Sequence, residues 1–358
     1  MAISNAGIRE SETWKEILSQ GLVWQTILQE MSRSASVEKI LATRGKRKEW
    51  IFVGCGSSYY LAEAAANSWT LLTGQRARAL PASEVLLFRQ LIQMESAEAQ
   101  AVLISRSGKT SETVRAAKVL SQELSLPTIG LTCARNSELE QMCDSAIVLH
   151  TADEKSMVMT RSFTSMLLSL QVLAGRWAGN TRFVQDLQRM AEHFAPRIHS
   201  IAVATEAFVE QHSFADYVFL GQGPFHGIAR EASLKVMEMS CSYSQFFHAL
   251  EFRHGPKAIV SPGTCLMFFL SENGGEAEKE VLAEMKELGG VTIAVCNRAD
   301  DSLRGASDLV IEVGFDGSEL ALLDPYTVAG QLLGFFTGAQ KGLNADHPKN
   351  LSRVVILD

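Results

Sequence analysis

Apolar residues along the chain gather in short runs, each closed by a turn and followed by a stretch with helical spacing. "QAVLIS" (100–105) is apolar and β-prone, and "SETVRAAKVLSQEL" (111–124) places Val114, Ala117 and Leu120 one helical turn apart. A strand therefore runs into a helix through Ser105, Arg106, Ser107, Gly108, Lys109 and Thr110. The same alternation recurs. "WIFVGCGSS" (50–58) resembles "YVFLGQGPF" (217–225), with Gly54 and Gly221 separated by 167 positions. "VLISRSG" (102–108) resembles "FFLSENG" (268–274) with Ser105 and Ser271 separated by 166, and the segment at 129–149 resembles that at 293–313 with Asp144 and Asp308 separated by 164. Three matches in order at nearly constant offset indicate a duplicated domain. Each unit reads strand, glycine turn, helix, strand, serine turn, helix, strand. This predicts an α/β fold of two tandem doubly wound parallel sheets, with ligands at the carboxyl ends of the strands. The turns at 54–58 and 105–110 are then neighbours.

The unpaired N–H groups of a helix's first turn and the positive end of its dipole favour an anion. Three hydroxyls and two cations around 105–110 suit a compact phosphate monoester; the same residues also suit a plain helix cap. A nucleotide P-loop fails on spacing, because the position five before Gly108-Lys109-Thr110 is Leu103, not glycine. Neither "GCGSSY" nor "GQGPFHG" fits the dinucleotide fingerprint.

Composition narrows the reading. With 358 residues, 46% hydrophobic and 20% charged, the chain has room for two domains, and a net charge of −7 argues against a generic nucleic-acid partner. Six cysteines without CxxC spacing point away from a zinc or disulfide framework. The first residues lack the layout of a leader, and no apolar run reaches transmembrane length. A cytoplasmic protein without membrane contact is expected. At the N-terminus, "TWKE" (13–16) reads as a capping box, followed by Ile17 and Leu18 and, after Gly21, a second helical run through Leu28.

The richest polar stretch is "GIAREASLKVMEMSCSYSQFFHALEFRHGPKAIV" (227–260). Positions 228–240 form a helix from which Glu231, Lys235 and Glu238 project on one side, as a functional cluster or as an ordinary salt-bridged face. His254 follows in "RHGPK", where Gly255 and Pro256 make a turn able to present an imidazole or simply to hold a structural histidine. His248, Glu251 and His254 spell HxxExxH, which is neither usual metalloprotease pattern, and no metal is expected there.

These residues carry a resemblance. "CGSS" with "SRSGKT" is similar to the phosphate-binding turns of the sugar isomerase (SIS) family, and "REASLKVMEMS" with "FRHGPK" resembles the helix and histidine turn in the isomerase half of glucosamine-6-phosphate synthase. "TWKEILSQGLVW", "AREASLKVME" and the tail "LSRVV" (351–355) resemble the tagatose-6-phosphate ketose/aldose isomerase and amino-sugar-6-phosphate deaminase group. The resemblance implies two tandem SIS (flavodoxin-like) domains at 38–200 and 201–345, flanked by an N-terminal helical segment at 1–37 and a tail at 346–358. It implies a sugar phosphate held by Ser58, Ser105, Arg106, Ser107 and Thr110, with Gly56, Ser57 and Arg353 at the substrate. It makes Glu238 the base that moves a proton between C1 and C2 and His254 the aid to ring opening, supplied across a homodimer interface, with Lys235 polarising a hydroxyl or holding Glu238. No cofactor is implied. No glutaminase segment stands ahead of the first unit, so release of ammonia from a hexosamine 6-phosphate, or isomerisation without nitrogen, is expected rather than synthesis. Arg353 stands where the synthase has a lysine, and an arginine stays protonated and forms no Schiff base. The rival expectations are a fructosamine-6-phosphate deglycase and a non-catalytic sugar-phosphate sensor.

Overall fold

The computed structural model describes residues 9–92 and 98–357. The chain divides into two compact units. One holds residues 22–154, 161–189 and 352–357, and the other residues 9–21, 155–160 and 190–351.

The first unit contains a five-stranded sheet of β1 (Glu49–Gly54), β2 (Arg76–Pro81), β3 (Ala99–Ile104), β4 (Thr128–Thr132) and β5 (Ser145–Val148), in the order β2-β1-β3-β4-β5. The second contains β6 (Asp216–Gly221), β7 (Tyr243–His248), β8 (Thr264–Phe269), β9 (Val291–Cys296) and β10 (Leu309–Glu312), in the order β7-β6-β8-β9-β10. All pairings are parallel, and both sheets have the flavodoxin-like order 2-1-3-4-5. The duplication read from the sequence is thus present in three dimensions.

It extends to backbone detail. A Cβ on Gly54 would lie 2.5 Å from the backbone of Ser58, and one on Gly221 would lie 2.5 Å from that of Phe225. Only glycine lets the following helix return so close to its strand. Two residues on, Gly56 and Gly223 share a conformation that a side chain strains, with φ of 54° and 52°.

Both strand faces are apolar, as burial beneath helices on two sides requires. In the first sheet Ile51, Val53, Ala101 and Leu103 pack with Ala117 and Leu120 on one face. On the other, Trp50 meets Trp69 and Trp177 at ring-centroid distances of 3.9 and 4.9 Å, and Gln75 Oε1 accepts both the Trp50 and Trp177 indole N–H groups. In the second sheet Val218, Leu220, Leu266 and Phe268 pack with Val281, Leu282 and Met285.

The N-terminal helix departs from expectation. It is one helix, Glu12–Ser32, which begins before Thr13 and runs through Gly21 without a break. Ser11 Oγ accepts the Trp14 N–H at 3.2 Å, while the Asp346 carboxylate takes the N–H groups of Glu12 and Thr13 at 2.9 and 2.8 Å and the Thr13 hydroxyl at 2.6 Å. Glu16 does not complete a capping box: its carboxylate accepts the Lys155 N–H at 2.6 Å. Gly21 is retained because Ala195 packs onto it, where a Cβ would meet Ala195 Cα at 2.5 Å.

Candidate functional site

Strand β1 pairs with β3, Val53 against Leu103, so the turns at 54–58 and 105–110 leave adjacent strand ends. This is the switch point, where neighbouring connections depart to opposite sides of the sheet and open a crevice. Ser57 and Ser58 start the Ser57–Thr73 helix there and are nearly buried. In the second turn Ser105 Oγ lies 3.0 Å from Thr110 Oγ1 and 3.5 Å from Ser107 Oγ, so three hydroxyls converge. Thr110 occupies the N-cap position of the Ser111–Lys118 helix, yet its side chain makes no capping bond. The Ser111 N–H goes instead to the Val355 carbonyl of the C-terminal tail at 3.3 Å.

Arg106 lies beside these hydroxyls in sequence but has an internal partner. Its guanidinium is 3.2 Å from Glu154 Oε2, both side chains being buried, and it also donates to the Arg353 carbonyl at 3.2 Å. Glu154 accepts the Ser162 N–H at 3.1 Å and the Ser162 hydroxyl. Arg353 is exposed, bonding to Asp153 Oδ1 at 3.0 Å and to the Glu154 carbonyl. Within this unit the tail is thus tied to the 105–110 turn. Glu154 and Asp153 carried no sequence signal, since neither belongs to a spaced motif.

In the other unit, the Pro224–Ser240 helix carries Glu231, Lys235 and Glu238 as the spacing predicts. Lys235 has no exposed surface; its ammonium is 3.2 Å from Glu231 Oε1 and donates to Glu238 Oε2. Burial acts to discharge the lysine, but the two carboxylates outweigh it and its pKa moves up, so it remains a cation. Glu231 is fully buried, whereas Glu238 keeps 16% of its side chain exposed. Glu238 is therefore the member of this row that can meet a ligand. A cavity of about 150 Å³ at Glu238 is lined also by Cys241, Asn344, His347 and Lys349. His254 is exposed on the Gly255-Pro256 turn and does not line that cavity. His347 was not anticipated; it lies outside every motif that the sequence displayed.

The SIS domain profile matches residues 45–176 and 215–327, one match in each repeat. The chain belongs to the SIS domain family. Among curated proteins it is 26% identical to the glutamine–fructose-6-phosphate aminotransferase (isomerizing) of Pyrobaculum aerophilum over 90% of this chain and 54% of that protein, and 26% identical to that of Chlamydia muridarum over 96% and 58%. It spans about half the length of these curated relatives. Among solved structures it resembles a glucosamine-6-phosphate deaminase from Thermotoga maritima, with 29% identity, a TM-score of 0.79 and coverage of 97% of this chain and 100% of that one. It shares its fold with the tagatose-6-phosphate ketose/aldose isomerase of Escherichia coli at 22% identity, with a TM-score of 0.84 and coverage of 98% and 99%.

Proposed function

We propose that this SIS protein is an amino-sugar-6-phosphate deaminase that isomerises as it deaminates. The observation that carries the reading is the Lys235–Glu238 pair: a carboxylate with one edge exposed, held in place by a fully buried ammonium. The likeness to a glucosamine-6-phosphate deaminase over almost the whole chain supports the choice of substrate class. The converging hydroxyls of Ser105, Ser107 and Thr110, with Ser58, hold the 6-phosphate, and Gly56 and Ser57 lie at the substrate. Arg106 supplies charge behind them, and Arg353 contacts substrate oxygens.

Once the sugar ring is open, Glu238 takes the proton from C2 and returns it to C1. The amine on C2 becomes an imine, which water hydrolyses to the ketone with release of ammonia. His254 assists ring opening in a second copy of the chain, a reading supported by its exposure and by its absence from the Glu238 cavity of its own chain. The working form is a cytoplasmic homodimer, in keeping with six free cysteines.

The test is ammonia and ketose phosphate formation from glucosamine 6-phosphate and galactosamine 6-phosphate, with Glu238→Gln as the comparison. Turnover of one epimer, lost in the variant, is expected. Absence of ammonia from both would refute the deaminase reading and leave plain isomerisation, deglycation or sensing.

A further inference from the structure

The second sheet repeats the strand order of the first, so it has its own switch point between β6 and β8. The first turn there keeps the backbone shape but loses the hydroxyls: Pro224 and Phe225 stand at the start of the helix, where the other repeat has Ser57 and Ser58. The second turn keeps its serine. Ser271 Oγ accepts the Gly274 N–H at 2.8 Å, as Ser105 Oγ accepts that of Gly108 at 3.1 Å.

Several donors of this second turn are bound within the chain. Ser271 gives its N–H and its hydroxyl to Glu278 Oε2, at 2.7 and 3.1 Å, and the Glu272 N–H goes to Glu319 Oε2 at 2.7 Å. Glu278 comes from the first turn of the Gly275–Glu287 helix, has no exposed surface, and its Oε1 has no hydrogen-bond partner. Gly274 leaves room for it, since a Cβ there would lie 2.2 Å from the carboxyl carbon. Beside it a cavity of about 450 Å³ is lined by Ser271, Lys279, Asn297 and Arg298, but the Lys279 ammonium is held by Asp300 and Glu276 at 2.6 and 2.8 Å.

We propose that Glu278 is the resident ligand of the second repeat's anion site: its carboxyl group occupies the place that the substrate phosphate takes in the first repeat, leaving one phosphate site per chain. The comparison rests on the reading of the first repeat given above. The first repeat also carries an acid in the first turn of its helix, Glu112, but that side chain is only half-buried and meets the Cys55 thiol instead of the serine turn.

Two measurements test this. Calorimetric titration with inorganic phosphate is expected to give one site per wild-type chain and none in Ser105→Ala/Thr110→Val. Phosphate binding retained by that variant would overturn the proposal, whereas a wild-type chain that binds no phosphate would instead refute the reading of the first repeat. In Glu278→Ala, sodium formate is expected to raise the unfolding midpoint by roughly 3 °C or more over matched sodium chloride, with no such rise in wild type. A folded variant indifferent to formate would overturn the proposal. Should the alanine variant not fold, the phosphate titration of the first-repeat variant still decides it.

Discussion

Lys235, without exposed surface, donates to the carboxylate of Glu238 from one turn earlier on the same helix. The pair fixes where the proposed base points, and Glu231 is the second carboxylate beside the same ammonium, at 3.2 Å. Replacing Lys235 with Met leaves two carboxylates without their cation, and breaking such a buried pair costs about 3–5 kcal/mol. Lys235→Met is expected to lower the denaturation midpoint markedly. The double variant Glu231→Gln/Lys235→Met is expected to regain part of that stability without regaining turnover. Full activity in the double variant would show that Lys235 serves only the fold.

Thr110 makes no capping bond, so its hydroxyl contributes little to the Ser111–Lys118 helix. Thr110→Val is expected to leave the unfolding midpoint within a degree or so of wild type. Each hydrogen bond lost to a charged phosphate is worth about 1.5–3 kcal/mol, so KM should rise by roughly 10- to 100-fold. Steady-state kinetics beside a thermal melt separates the two effects. A melt that falls while KM stays constant would assign the hydroxyl to the fold.

Gly334 lies where the Leu323–Gln340 helix crosses the Pro224–Ser240 helix, and a Cβ there would come within 2.9 Å of the Lys235 carbonyl oxygen. Gly330 and Gly338, one turn to either side, make the same close approach to Ala232 and to the Met239 backbone. Alanine ordinarily stabilises a helix relative to glycine by about 1 kcal/mol. Here the clash is with backbone, and Gly334→Ala is expected to destabilise by about 1–3 kcal/mol in chemical denaturation. Stabilisation would mean that the helices can separate freely.

Two buried carboxyls make stability depend on pH. Burial pushes the Glu278 carboxyl up to about 7 against the lowering effect of Ser271, and burial alone holds Asp324 well above the usual carboxylate range. Below an unfolded value of about 4.5 both states of Glu278 hold the proton. Between there and about pH 7 the unfolded chain releases it while the folded chain keeps it, so stability falls as pH rises and the loss is complete above 7. Denaturation midpoints measured from pH 5 to 8 should fall in wild type and fall less steeply in Glu278→Gln and Asp324→Asn. An unchanged slope in both variants would contradict these assignments.

Much of the fold was legible because its determinants are local. Gly54 and Gly221 announce the strand-to-helix turn at equivalent places, since no other residue allows that approach, and the apolar runs before them mark strands covered on both faces. Glu231, Lys235 and Glu238 were readable because spacings of four and three bring side chains to one side of a helix. What escaped depends on residues far apart in sequence. The N-terminal helix begins at Glu12 because Asp346, more than 300 positions away, satisfies its first N–H groups, and "TWKE" imitates a local signal that the fold does not use. The Arg106–Glu154 pair and the burial of Glu278 and Asp324 likewise arise from chain segments that meet only on folding.

The role of Glu238 is tested most directly by following the proton itself. Amino sugar 6-phosphate deuterated at C2 would be turned over in ordinary water and the ketose phosphate examined by NMR, for wild type and Glu238→Gln. Wild type is expected to show a primary isotope effect and a C1 that carries a mixture of solvent protons and transferred deuterium, as a single exchanging base requires. Glu238→Gln is expected to lose both the turnover and the exchange at C2. Exchange at C2 in the variant at the wild-type rate would contradict the assignment of Glu238 as the base.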